Sequence, residues 1–281
     1  MSREIGFLLH PDEQRAAESG AARARELGYD VWVEFRDPES ILSEHADRTD
    51  LLVTIGGDGT LLYGARLAAP RGIPVMGVNR GRLGFLTDVE VGDLPVALEA
   101  FAAGRCHSQR RSMLEASVPG GGGAEPWQTL ALNEVAVKSS GVAVARIRVE
   151  QDGELLGDFD ADGVVVATAT GSTAYALSAG GPPIDPRVRA VVVVPLAPHA
   201  VISRAIVLPE MVTLRITVER GRVNVAADGI AEIRLPDRSE VLIGPGPELA
   251  FLRFDDSPSF LRRLREKVRF GLPLKELERP Q

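Results

Sequence analysis

Apolar positions along this chain fall into two textures. In the first part, short apolar runs alternate with longer stretches in which apolar residues recur every three or four positions. The runs over 5–9, 31–35, 51–55 and 73–78 predict strands. The stretches over 12–27 and 93–103 predict helices, one stopped near Gly28 and the other followed by Gly104, and a third helix follows Asp58 and ends before Pro70. Strands alternating with helices imply a parallel sheet, with ligands at the carboxyl ends of its strands.

From about Arg110 the period shortens. The runs over 113–118, 129–137, 144–150, 164–168, 212–218, 222–227, 230–235 and 240–244 alternate as half-buried strands do. Asp152-Gly153 and Asp228-Gly229 sit between such runs and signal hairpins, and Gly120-Gly121-Gly122-Gly123 reads as a loop at a hairpin tip. Helical spacing returns over 259–270, with Leu261, Leu264 and Val268 on one face. The other face carries Arg262, Arg263, Arg265, Lys267 and Arg269, read as a solvated surface on a helix that packs back on the first domain; 274–281 reads as a loose tail. The expected class is therefore α/β plus all-β. Residues 1–109 with about 255–281 form the α/β domain, and 110–254 form a mostly β domain.

Composition narrows the partners. The 281 residues suit two domains, and a formal charge of −7 argues against a surface that coats nucleic acid. Cys106 is the only cysteine, so internal disulfides and cysteine metal clusters are excluded, and a reducing, cytoplasmic setting is expected. The first apolar run is too short for a signal sequence, and the apolar stretch over 190–202 is interrupted by Pro195, Pro198 and His199, so no membrane partner is expected. The only lysines are Lys138, Lys267 and Lys275, so a phosphate site must lean on arginine, backbone amides or metal.

Two stretches carry chemistry. Gly56-Gly57-Asp58-Gly59-Thr60 lies where a buried strand passes into a helix. Glycine amides beside a helix N-terminus suit a bound phosphate, although the same residues also make a plain tight turn. Asp58 is the informative member: a carboxylate among phosphates is repelled unless it holds a metal ion or takes a proton from an attacking hydroxyl. The second stretch, from Ala161 to Gly181, delivers Thr168, Thr170, Ser172, Thr173, Tyr175 and Ser178 from a buried strand into a short helix. Ser172 or Thr173 is the expected N-cap, but capping accounts for only one or two of these hydroxyls. A sugar-phosphate ligand uses hydroxyls, amides and one aromatic in this way. Asn133 and Glu134 are strand neighbours that serve one ligand only near a strand end or bulge; otherwise they are a surface pair. His199 reads as structural.

Taken together, these segments resemble the NAD kinase family. The resemblance is carried by Gly56-Gly57-Asp58-Gly59-Thr60, the Asn79, Gly81-Arg82-Leu83-Gly84-Phe85-Leu86 segment and Asn133-Glu134. It continues through Asp162-Gly163, Thr170-Gly171-Ser172-Thr173-Ala174-Tyr175, Ser178-Ala179-Gly180-Gly181, Pro198-His199 and Asp228-Gly229. It implies a Rossmann-like first domain, a β-sandwich second domain, an active site between them and a homodimer or homotetramer. The implied reaction is phosphorylation of the adenosine-ribose 2′-hydroxyl of NAD by ATP or polyphosphate, with a divalent metal such as Mg²⁺. Asp58 would orient and deprotonate that hydroxyl, with Mg²⁺ nearby. Gly56, Gly57, Gly59 and Thr60 would cradle donor phosphates, with Asp58 and Gly59 also meeting NAD. Asn133 and Glu134 would hold the ribose, and Asp162, from a neighbouring subunit, the nicotinamide end. Phe85, Thr170, Thr173, Ala174, Tyr175 and Ser178 would line the dinucleotide pocket. Ala169, Asp160 and Ile230 depart from the family's usual Pro, Arg and Gln. Two rivals stand beside this reading: a lipid kinase of the diacylglycerol or sphingosine type, which lacks the Tyr175 run, and a dinucleotide sensor, which has no use for Asp58.

Overall fold

The computed structural model describes residues 3–35, 38–80, 84–120, 125–200 and 203–271. Gly81, Arg82 and Leu83 of the glycine-arginine segment, most of the 120–123 glycine run and the 274–281 tail lie outside them. The chain divides into two compact units, one of Met1–Gly64, Ile73–Gln109 and Phe251–Gln281, the other of Ala65–Gly72 and Arg110–Ala250.

In the first unit β1 (Glu4–Leu9), α1 (Gln14–Glu26), β2 (Asp30–Glu34), α2 (Pro38–His45), β3 (Thr49–Gly56) and α3 (Asp58–Ala68, leaving the unit after Gly64) alternate, α2 being an addition to the expected elements. They are followed by β4 (Val75–Asn79), the short β5 (Val89–Glu90) and α4 (Leu94–Ala102). The strands run parallel in the order β4-β3-β1-β2, with β5 alongside β4. Leu51, Leu52, Val53 and Ile55 of β3 are all buried, which is why β3 reads as a continuous apolar run rather than an alternating one. Each such side chain contributes roughly 1.5–3 kcal/mol on burial. Ala17, Ala21 and Ala24 on α1 and Leu94 and Leu98 on α4 join the same core. The register brings the ends of β3 and β4 level, Gly56 opposite Asn79.

The second unit is a β-sandwich. One antiparallel sheet contains β9 (Ala145–Gln151), β10 (Glu154–Ala161), β14 (Leu214–Arg220) and β17 (Glu240–Arg253), with β6 (His107–Val118) and β7 (Trp127–Ala131) at its side. The other contains β8 (Glu134–Ser139), β11 (Gly163–Thr168), β12 (Ala190–Leu196), β13 (Ile206–Pro209), β15 (Val223–Ala227) and β16 (Ala231–Leu235), in the order β13-β12-β11-β8-β15-β16. Their inward faces share one core, Ile147, Val149, Ile216 and Val218 from the first sheet and Val135, Val137, Val164 and Val225 from the second. Asp152-Gly153 and Asp228-Gly229 make the β9–β10 and β15–β16 turns, with all four residues at positive φ. The four-residue α5 (Tyr175–Ser178) follows β11.

Three expectations need correction. The run over 129–137 is two strands, because β7 ends at Ala131 and β8 starts at Glu134. Neither Ser172 nor Thr173 caps α5; its N-cap is Ala174, without a side-chain bond. Finally, the terminal helix α6 (Phe260–Val268), part of the first unit, does not bury the expected stripe: Leu264 is buried, but Leu261 is 67% and Val268 39% exposed. Its second buried residue is Arg263.

Candidate active site

In the α/β unit, β3 delivers Gly56, and α3 begins at Asp58. The turn closes tightly: Thr60 N–H donates to Gly57 O at 3.1 Å, and a Cβ on Gly56 would lie 2.5 Å from Thr60 Oγ1. Gly57 and Gly59 face open space and are exposed. Exposed glycine backbone at the start of an eleven-residue helix is suited to phosphate oxygens. A cavity of about 550 Å³ opens beside Gly57, Gly59 and Thr60, walled by His10, Phe35 and Tyr63.

Asp58 is exposed as a residue, yet its carboxyl end presses on the protein, since a Cβ on Gly84 would lie 2.5 Å from Oδ1. That crowding desolvates the carboxyl and raises its pKa, opposed by the positive charges of Lys267 and Arg263. Phe85, next in the turn, is half-buried, and its carbonyl accepts from Arg263 Nη1 at 2.9 Å.

In the β unit the break between β7 and β8 is made by Asp228. Its carboxylate accepts the backbone N–H groups of Leu132 (2.8 Å), Asn133 (2.8 Å) and Glu134 (3.0 Å), and its own N–H donates to Glu134 O at 3.0 Å. Three amides aimed at one carboxylate turn the backbone out of the ladder, so Asn133 and Glu134 stand at a strand end, the one placement that lets neighbours serve a common ligand. Thr168 braces the same turn from β11, with Oγ1 donating to Leu132 O at 2.6 Å and N–H to Asn133 O at 2.9 Å. Gly171 packs on it so closely that a Cβ would lie 2.0 Å from Asn133 O.

Glu134 is only 9% exposed. Burial, then the neighbouring Asp228 charge, pushes its pKa up to about 7, against a backbone N–H from Tyr175. Among the described residues its Oε2 is buried with no hydrogen-bond partner. A buried acceptor without a donor is costly, and a ligand hydroxyl would satisfy it. The Asp228 carboxyl is likewise raised by burial, against the three amides and the Arg66 charge. Tyr175 lies beside this group, its ring 5.3 Å from the Lys138 ammonium.

The hydroxyls sort into two kinds. Ser172 is fully buried, donates to Ala169 O at 2.7 Å and accepts Ile184 N–H at 2.8 Å, which is why it is not free to cap. Thr173 donates to Thr170 O at 3.3 Å, Thr170 is buried, and Ala174 is half-buried. Ser178 remains exposed. Asp162 stands apart at the β10–β11 junction, exposed, with its backbone bonded to Leu196 O and Ser139 N–H. Asp160 pairs with Arg220 at 3.3 Å. Asp228 reads in the sequence as a turn residue and as part of a family motif; its carboxylate role is visible only once 132–134 and 228 are adjacent.

No group of three His, Cys, Asp or Glu side chains close enough to hold a metal occurs among the described residues, and no helix among them is long and apolar enough to cross a membrane.

Comparison with known proteins agrees with these features. Models of the ATP-NAD kinase N-terminal and C-terminal domains match residues 5–106 and 132–252. The NAD kinase of Heliobacterium modesticaldum is 41% identical over 280 residues, 95% of this chain and 99% of that protein, and that of Gemmatimonas aurantiaca is 36% identical over 225 residues, 79% of this chain and 78% of that protein. A crystal structure of an Archaeoglobus fulgidus NAD kinase in complex with ATP superposes with a TM-score of 0.76 at 25% identity, covering 95% of this chain and 97% of that one. Yeast NADH kinase complexed with NADH shares the fold, with a TM-score of 0.85 at 24% identity over 97% of this chain and 89% of that one. With the glycine-flanked Asp58, the Asn133-Glu134 strand end and matches across both units, the chain belongs to the NAD kinase family.

Proposed function

We propose that the protein transfers the γ-phosphoryl group of ATP to the 2′-hydroxyl of the adenosine ribose of NAD, giving NADP and ADP. Family membership supports the reaction. The observation that carries the acceptor assignment is Glu134, a buried carboxylate at a strand end with one oxygen lacking a donor among the described residues. A ribose offers such a donor, and Asn133 supplies an amide beside it. Thr170, Thr173, Ala174, Tyr175 and Ser178 shape the rest of the dinucleotide pocket, Phe85 packs on the dinucleotide, and Asp162 of a neighbouring subunit meets the nicotinamide end of NAD.

Gly56, Gly57, Gly59 and Thr60 hold the donor phosphates through backbone amides and the helix start. Asp58 accepts the proton of the 2′-hydroxyl as its oxygen bonds to the γ-phosphorus and the bond from that phosphorus to the bridging oxygen breaks, releasing ADP. A ribose hydroxyl is a weak nucleophile, and one aimed carboxylate supplies the base such a step needs. One carboxylate plus phosphate oxygens is a donor set that Mg²⁺ accepts, with Asp58 as the protein's contribution. When bound, the ion neutralises phosphate charge. Polyphosphate as an alternative donor, assembly as a homodimer or homotetramer and a cytoplasmic setting belong to the same proposal.

The test is direct. Purified protein with NAD, ATP and Mg²⁺ is expected to yield NADP, read with an NADP-specific dehydrogenase. No NADP with either ATP or polyphosphate, alongside phosphorylation of a lipid, overturns the reading.

A further inference from the structure

Arg263 of α6 is buried in the α/β unit. Its Nη1 donates to the carbonyls of Gly84 (3.0 Å), Phe85 (2.9 Å) and Thr87 (3.0 Å), its Nε to Pro258 O (3.3 Å), and its Nη2 to the Asp88 carboxylate. Asp88 in turn accepts from Arg253 Nη1 and Ser257 Oγ, both at 2.8 Å. Burying two arginines is costly even when they are paired, and apolar packing closes a turn at less expense of desolvation. The turn they fasten is not an ordinary one. Its first residue, Gly84, abuts Asp58, and the Gly84 N–H is taken by Thr87 Oγ1 at 2.9 Å, so backbone on both sides of the contact is fixed.

We propose that Arg263 is a positioning residue for phosphoryl transfer: it pins the 84–88 turn against the Asp58 carboxylate. This rests on the reading of Asp58 as the base. Among the described residues the charged groups acting on Asp58 are Arg263 and Lys267, both from α6, and those acting on Arg263 are Asp88, Asp58 and Glu266. Removing Arg263 frees the carbonyls of Gly84, Phe85 and Thr87, so the turn that abuts the Asp58 carboxylate no longer fixes its aim.

The experiment uses the full chain carrying Arg263→Met or Arg263→Lys, with kcat and KM measured well below each variant's Tm. Arg263→Met is expected to lower kcat by about 10²-fold through misplacement of the base, with KM for NAD little changed. Arg263→Lys keeps the charge but not the fork that reaches three carbonyls, so its kcat falls as well, with KM for NAD again little changed. A lower Tm with kcat and KM both at wild-type values is what a purely structural arginine gives, and that outcome overturns the proposal. Should Arg263→Met not fold, a folded Arg263→Lys with wild-type kcat overturns it equally. Asp58→Asn run in parallel separates the two claims: turnover retained there sinks the base itself, whereas an inactive Asp58→Asn with wild-type kcat in Arg263→Met sinks only the role of Arg263.

Discussion

Asp58 and Glu134 are both carboxylic acids raised by desolvation, and their surroundings differ in every other respect. Asp58 sits at an exposed helix start between glycines, and the charges near it, Lys267 and Arg263, are positive. Glu134 is buried, and the charge near it is a second acid, Asp228. Positive neighbours favour the ionised form, which a base needs before it can take a proton. An acidic neighbour disfavours it and leaves a group that titrates near neutrality and binds hydroxyls. The contrast matches the proposed division, with chemistry at an accessible acid and binding at a buried acid built into the core.

The strongest way to break that contrast is Asp58→Asn. It is expected to lower kcat by about 10²–10⁴-fold, as loss of a general base does; initial rates at saturating NAD and ATP check this. Gly84→Ala comes next. Its Cβ would meet Asp58 Oδ1 at 2.5 Å and Thr87 Oγ1 at 3.2 Å, so the carboxylate must move while the fold is little affected. A kcat loss of about 10–10²-fold with Tm nearly unchanged is expected.

Asp228→Ala probes the other side. It leaves three backbone N–H groups without their acceptor, and unsatisfied buried donors cost about 1–3 kcal/mol each. Tm falls, and among molecules that remain folded the loss appears chiefly in KM for NAD rather than in kcat; equal kcat loss with unchanged KM would contradict the division of labour.

The smallest effect is a pH dependence. Glu134 has a folded pKa of about 7, above its ordinary value of 4.5. The unfolded chain therefore releases this proton first, and wild-type stability declines as pH rises from about 4.5 to 7, then levels off. Glu134→Gln does not titrate. Its stability relative to wild type should improve across that window by about 1–3 kcal/mol, measured by urea unfolding at several pH values. A Glu134→Gln stability that stays level or falls relative to wild type as pH rises contradicts the assignment.

The parallel-sheet strands and their helices were legible because burial on both faces writes a local period. So was the Asp58 loop, which lies within one contiguous stretch. Helix α2 was missed because Leu42 is nearly alone as a buried apolar residue in it. Strands β10 and β13 were missed because they lie at sheet edges with Leu155, Ile206 and Val207 exposed, which blurs alternation. The break at 132–133 has one local sign, the adjacent polar pair Asn133-Glu134, but the residue that makes it, Asp228, is 95 positions from Asn133. Arg263 is similar. Its neighbours Arg262 and Arg265 read as a solvated face, and nothing local distinguishes the arginine whose acceptors lie about 180 residues earlier.

The central claim, that Asp58 does chemistry while the Asn133-Glu134 strand end binds, is tested most directly by titrating NAD into Asp58→Asn in a calorimeter. The account predicts an inactive protein whose dissociation constant for NAD stays close to the wild-type value. Loss of NAD binding in that variant, or turnover that survives in it, would contradict the account.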